Sequence, residues 1–217
     1  MSIRLFLFNI VSGVLFLAAA VFAEGGPRAF FADPALAGFF LVTVALFVAA
    51  SFTKGNLSSG VREDRDNRWV FLAFAVFGIG QLVVSLGLDR RNILTLDGEA
   101  MRWLGLVLYT LGGVLRLAPV FVLGRRFSGL VAIQEGHELV TDGLYARIRN
   151  PSYLGLLVGS IGLALVFRSL PGVVLSLLFL WPLHARMKAE ERLLEQTFGD
   201  KYRAYRSRTS RLVPGVY

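Results

Sequence analysis

With 217 residues, 55% of them hydrophobic, and a positive mean hydropathy, the chain reads as an integral membrane protein rather than a soluble domain. It has no cysteine, which excludes disulfides, thiolate metal sites and cysteine nucleophiles together. Its only histidines, His137 and His184, are far apart and have no carboxylates at ligand spacing, so no metal site is expected. A net charge of +8 would suggest nucleic acid on a soluble protein; here it suggests basic flanks resting on an anionic leaflet, with the membrane and not nucleic acid as partner.

Residues 3–23 are almost wholly apolar and long enough to cross about 30 Å of hydrocarbon, too long for the apolar core of a signal peptide. After a short Gly- and Pro-containing link, 35–53 forms a second span. A dense polar stretch, KGNLSSGVREDRDNRW, follows and reads as a solvated connector, with a ligand lid as the sharper alternative. A third span covers 69–88, with Trp69 at the interface. A fourth, 101–123, carries Arg116 in its interior, where a charge is costly and by default functional, unless it snorkels to the nearby helix end.

Between two apolar blocks lies a polar island, HELVTDGLYARIRNPSY. Gly143 permits a left-handed turn, and Pro151 pushes Asn150 toward extended geometry and can open a helix. Two short apolar runs, 153–167 and 171–184, separated by RSLP, predict a tight helical hairpin within the membrane. The tail continues the last span as a charged helix that Gly199 should stop, with Arg186 and Glu190 one turn apart and able to pair.

The expected fold is all-α: a polytopic bundle of about six spans forming one membrane domain over 1–217. Residues 1–123 supply the first spans, and 124–217 the binding region, hairpin and tail. Most of the 23 Lys and Arg residues fall beside the island, in the 54–68 loop and in the tail, whereas Arg28, Arg90, Arg91, Arg102 and Arg168 fall on the other side. The positive-inside rule therefore places both termini and the island in the cytoplasm.

No Ser-His-Asp arrangement can be argued from spacing, and the GxG at Gly78 to Gly80 lies inside a span rather than after a strand. What remains is a set of arginines, a carboxylate, tyrosines and backbone amides at a membrane edge. Five elements follow one another in order: HxLVTxGxY (from His137 to Tyr145), RNPxY (Arg149, Asn150, Pro151, Tyr153), RxxxEE (Arg186, Glu190, Glu191), FGxxYxxY (Phe198, Gly199, Tyr202, Tyr205) and a closing Pro214.

In these elements the chain resembles the isoprenylcysteine carboxyl methyltransferase and phospholipid methyltransferase group of membrane enzymes. The resemblance implies an S-adenosylmethionine-dependent methyltransferase without a Rossmann domain, acting on a lipophilic or membrane-delivered carboxylate, thiol or amine. Carried over by position, His137, Glu138, Leu139, Val140, Tyr145, Asn150, Pro151, Ser152 and Tyr153 would bind the cofactor in a cytoplasmic cradle, with Gln134 a further contact. Glu190 would hold the cofactor's polar end, and Arg116 and Arg186 would face the head of the lipid or other lipophilic substrate. Asn150 stands where the eukaryotic enzymes have His, so a proton role at that position is not implied. Two rival readings are a membrane reductase of the sterol-reductase type using a nicotinamide cofactor, and a non-enzymatic membrane protein.

Overall fold

Apolar side chains on every face make a helix stable only inside a bilayer or a large core, and the chain builds a sequence of such helices. In the computed structural model, which describes residues 3–56, 58–96 and 98–215, the helices are α1 (Ile3–Ala23), α2 (Pro27–Ala32), α3 (Pro34–Ser51), α4 (Trp69–Asp89), α5 (Glu99–Leu123), α6 (Pro151–Val166), α7 (Leu170–Leu178), α8 (Leu180–Phe198) and α9 (Asp200–Ser207), the last two of them rich in charge. Proline opens α2, α3 and α6 at the first turn, where its missing N–H costs nothing. Asp33 caps α3, its carboxylate accepting from the amides of Ala35 at 2.9 Å and Leu36 at 3.3 Å.

Five of the described helical stretches are long and apolar enough to cross a membrane: α1, α3, α4 with the 3₁₀ turn before it, α5 with the 3₁₀ turn after it, and α7 with α8. The chain is thus a polytopic helical membrane protein. α6, expected as a span of its own, is an apolar helix of 16 residues. The last span continues, as expected, into the charged helix that ends at Phe198 before Gly199, and it is interrupted at Phe179. Pro182 explains that break, since it has no N–H to return to the carbonyl one turn back. Two short strands, β1 (Arg62–Glu63) and β2 (Ala132–Ile133), pair antiparallel with Arg62 opposite Ile133, so the 54–68 connector is fastened to the approach to the island.

α5 and α6 flank the island in sequence and pack face to face through glycines. A Cβ on Gly112 would stand 2.2 Å from the Gly159 nitrogen, one on Gly105 2.3 Å from the Val166 nitrogen, and one on Gly162 2.2 Å from the Tyr109 nitrogen. Only hydrogen fits where two backbones approach this closely, which is how small residues join helices in lipid.

At the end of the bundle remote from the island, Asp89 is fully buried between Arg102 at 2.8 Å and Arg168 at 2.8 Å, and Arg102 also pairs with Asp33 at 3.0 Å. Phe30, Leu36, Phe39, Val166 and Phe167 form the apolar core beside this network. Glu24, just past α1, adds a third carboxyl with one buried oxygen that has no hydrogen-bond partner. Burial, then the nearby Asp89 carboxylate, raise its pKa to about 7.

Two outcomes follow from this packing. Gly112→Ala should cost about 1–3 kcal/mol as a lowered thermal midpoint in detergent, because the clash is with backbone. Gly159→Ala, whose Cβ would find its first neighbour at 3.7 Å, should be neutral or stabilising because Ala is the better helix former. For Glu24, the raised value means that the folded state holds the proton more tightly than the unfolded chain does. Its stabilisation is therefore full below pH 4.5 and lost as pH climbs through about 7. Thermal midpoints should fall across that window, and Glu24→Gln, which keeps the neutral form, should flatten the fall.

Candidate active site

Pro119 sits inside α5 one turn after Arg116, and Gly155 of α6 packs against the Arg116 backbone nitrogen, where a Cβ would come within 2.4 Å. That contact brings Ser152, in the first turn of α6, under the arginine: Arg116 Nη1 donates to Ser152 Oγ at 2.5 Å, and Ser152 Oγ donates to the Arg116 carbonyl at 3.2 Å. Arg116 thus turns inward and does not snorkel. Pro151 starts α6; Asn150 before it is kept out of the helical region but, at φ −125° and ψ 57°, is not the extended residue expected, and Gly143 takes a positive φ of 55°. The island is thereby folded back over the ends of α5 and α6.

A cavity of about 310 Å³ opens beneath it, within the range of small-molecule sites. Its walls are the island, residues 127–133, Phe71 and Phe74 of α4, Arg116 and Leu123 of α5, α8 from Arg186 to Leu194, and Tyr202 and Tyr205 of α9. Tyr153 is the hub. Arg186 Nε donates to its hydroxyl at 2.7 Å, and the hydroxyl donates to Glu190 Oε2 at 2.6 Å. The expected direct pairing of Arg186 with Glu190 is therefore replaced by a phenol set between them. Arg186 also lies 5.0 Å from the Phe71 ring centre and donates from Nη2 to the Gly129 carbonyl.

Glu191, next to Glu190, does different work. Both of its oxygens are held, by Arg149 at 3.0 Å and Arg211 at 2.8 Å. Arg149 further donates to the carbonyls of Arg206, at 3.1 Å, and Thr209. α8, the island and the tail are joined through this buried fork.

Polar atoms buried without a partner mark where a ligand's own polar groups would go. Among the described residues, three such atoms belong to residues that line this cavity: His137 Nδ1, Arg186 Nη1 and the Tyr202 hydroxyl. Burial, then the charge of Arg126, hold the His137 imidazole below its usual range, so it is neutral at pH 7. Burial, then Glu190, push the Tyr145 phenol up; burial, then Glu191, push Tyr202 up; and burial raises Tyr205 to about 12 against the opposing charge of Arg149. All three phenols stay protonated at neutral pH.

The profile of the phospholipid methyltransferase family matches residues 100–201. The chain is 36% identical over 115 residues to protein-S-isoprenylcysteine O-methyltransferase B of Arabidopsis thaliana, a match that covers 52% of this chain and 58% of that protein. To protein-S-isoprenylcysteine O-methyltransferase A of the same plant it is 33% identical over 142 residues, covering 62% of this chain and 72% of that protein. The chain belongs to the isoprenylcysteine carboxyl methyltransferase family. A solved structure of the eukaryotic intramembrane Ras methyltransferase, isoprenylcysteine carboxyl methyltransferase, superposes with a TM-score of 0.64 at 20% identity, covering 96% of this chain and 75% of that one, so the family fold extends to the N-terminal spans.

Of the residues singled out by resemblance to the family, Arg116, His137, Glu138, Leu139, Val140, Tyr145, Asn150, Pro151, Ser152, Tyr153, Arg186 and Glu190 all line the cavity. Gln134 does not; it is buried behind the wall, its Nε2 donating to the Ser58 carbonyl at 3.1 Å. Asn150 spends its amide on the tail, donating to the Arg211 carbonyl at 3.0 Å. Sequence reasoning passed over the 127–133 wall, Phe71 and Phe74, and it named Arg149 and Glu191 in the RNPxY and RxxxEE elements without giving them a role. Tyr202 and Tyr205 stood in the FGxxYxxY motif, and that spacing was the available signal.

The two neighbouring glutamates should separate in stability measurements. Glu191→Ala leaves Arg149 buried without its anion and is expected to cost on the order of 3–5 kcal/mol, seen as a lower thermal midpoint in detergent. Glu190→Ala, which loses a single hydrogen bond from Tyr153, should cost about 1 kcal/mol.

Proposed function

We propose that this chain is a membrane-embedded S-adenosylmethionine-dependent methyltransferase that esterifies a carboxylate carried on a lipophilic acceptor. The observation that carries the reading is the convergence of three unpartnered polar atoms, His137 Nδ1, Arg186 Nη1 and the Tyr202 hydroxyl, on one cavity that also holds the Glu190 carboxylate. The names of the relatives, O-methyltransferases of isoprenylcysteine, support the reaction class.

The donor set fits the cofactor. Glu190 and the faces of Tyr145, Tyr153 and Tyr202 suit a sulfonium and an ammonium, while His137, Tyr202 and backbone amides suit its hydroxyls and base. Held by these residues, S-adenosylmethionine would supply an activated methyl group to the acceptor carboxylate, its sulfonium becoming a neutral thioether.

The charges of the cavity favour a carboxylate over an amine. Arg116 and Arg186 place two guanidiniums beside one glutamate, Glu190, and would repel an ammonium head while holding an anionic one. A carboxylate needs no proton removed, which agrees with phenols that stay protonated and a neutral His137 that no general-base network supports. What the chain contributes is alignment and exclusion of water by Phe71, Phe74 and Leu123. By the positive-inside rule the cavity opens on the cytoplasmic side.

Calorimetric titration of detergent-purified protein with S-adenosylhomocysteine tests the cofactor half. Micromolar binding is expected, weakened at least tenfold by Glu190→Ala and less by Tyr145→Phe; no binding by folded wild type overturns the reading. For the acceptor half, methyl transfer is expected to N-acetyl-S-farnesylcysteine and not to phosphatidylethanolamine, and the reverse result would overturn the carboxylate assignment.

A further inference from the structure

The connector between α3 and α4 makes more bonds than a solvated loop needs. Asn56 alone makes four: its amide donates to the Phe127 carbonyl at 3.1 Å, its carbonyl accepts from Gly129 at 2.8 Å, its Nδ2 donates to the Arg125 carbonyl at 2.8 Å, and its Oδ1 accepts from the Ser58 amide at 2.9 Å. The Ser58 carbonyl then accepts from Ser128 Oγ at 2.9 Å and from Gln134. Further along, Val61 donates to the Ile133 carbonyl at 2.9 Å and Asp64 to that of Val131 at 3.0 Å. Gly60 makes the approach possible: with φ +58°, a Cβ there would stand 2.1 Å from the Ile133 carbonyl oxygen.

Apart from the bond between Asn56 and Ser58, these bonds run along the 125–134 segment, and Arg126 to Leu130, Ala132 and Ile133 of that segment line the cavity. Gly129 joins the two. Its N–H is held by Asn56, and its carbonyl accepts from Arg186 Nη2. Arg186 is 4% exposed and has three nitrogens to place: Nε goes to Tyr153, Nη2 to Gly129, and Nη1 is left without a partner on the cavity side.

We infer that the 56–64 strap is a positioning element for the site, and that Asn56 and Gly60 act through Gly129 to set the guanidinium of Arg186 so that Nη1 is the nitrogen offered to the acceptor. Neither residue touches the cavity. The inference rests on the reading of Arg186 as the acceptor-facing cation. A cover that only shielded the wall from water would need no fixed relation between Asn56 and the 129 carbonyl. A planar fork with two of its three arms fixed offers the third in one direction, which is how preorganisation lowers the cost of binding an anion.

The test reads the guanidinium directly. Protein labelled with ¹⁵N-arginine gives Nε–H signals for arginines held in slow exchange, and those of Arg186 and Arg149 are assigned by their loss in Arg186→Lys and Arg149→Lys. Arg149, fixed by Glu191 and with no bond to the strap or to Gly129, is the internal control. Asn56→Ala and Gly60→Ala, made separately, are expected to shift or erase the Arg186 signal and leave that of Arg149 in place. An Arg186 signal unmoved in both variants, or both signals moved alike, overturns the inference. S-adenosylhomocysteine titration of the same samples keeps the two claims apart. Wild type that fails to bind it sinks the reading of the cavity, while the arginine signals still decide whether the strap sets Arg186.

Discussion

The close contact of α5 and α6 is the constraint on which the rest depends. Two helices whose glycines admit a neighbouring backbone to within the space of a hydrogen atom behave as one body. The polar segment joining them cannot extend away, because both of its ends are fixed side by side. It must fold back over the pair, and its unpaired amides and carbonyls must then find partners outside the segment. They find them in the 54–68 strap and the tail: Asn56 and Val61 on one side, and Ser210 on the other, which accepts from the Arg149 amide at 2.9 Å and donates to the Arg147 carbonyl at 3.0 Å. The cavity is the space these partners leave.

The two ends of the bundle handle buried charge in opposite ways. At the remote end Asp33, Asp89, Arg102 and Arg168 pair with one another, so the network is nearly saturated and its role is to tie α3, α4, α5 and the α6–α7 turn. At the island end Arg186 keeps a nitrogen free and Glu190 is reached by one phenol. Unsatisfied polar atoms cost stability, and three of those among the described residues, His137 Nδ1, Arg186 Nη1 and the Tyr202 hydroxyl, share one cavity, a clustering that supports a ligand site independently of any relative.

How much of this the sequence disclosed depends on which interaction is asked about. Pro151 opening α6, Gly199 closing α8 and the positive φ at Gly143 are local rules, and each is found as expected. Most of the cavity lining was legible because the island, RNPxY and RxxxEE carry side-chain chemistry at fixed spacing. The strap was read as a solvated connector because its partnership is made by backbone groups and a two-residue strand, which leave no periodic trace. Gln134 failed for a related reason, since its side chain turns toward Ser58 and a sequence does not reveal which way a loop faces. Glu190 and Glu191 look alike in sequence; only the placement of Arg149 and Arg211 separates them.

The threading of the tail has a consequence for truncated chains. Asn150, Arg149 and Glu191 are all bonded to the stretch between Arg206 and Arg211, which the ribosome makes after every apolar helix of the bundle. Helices α1 to α7 therefore precede in the chain the segment that completes the cavity wall. A chain cut short before Arg206 would keep every apolar helix yet lose these tail partners of Arg149, Asn150 and Glu191.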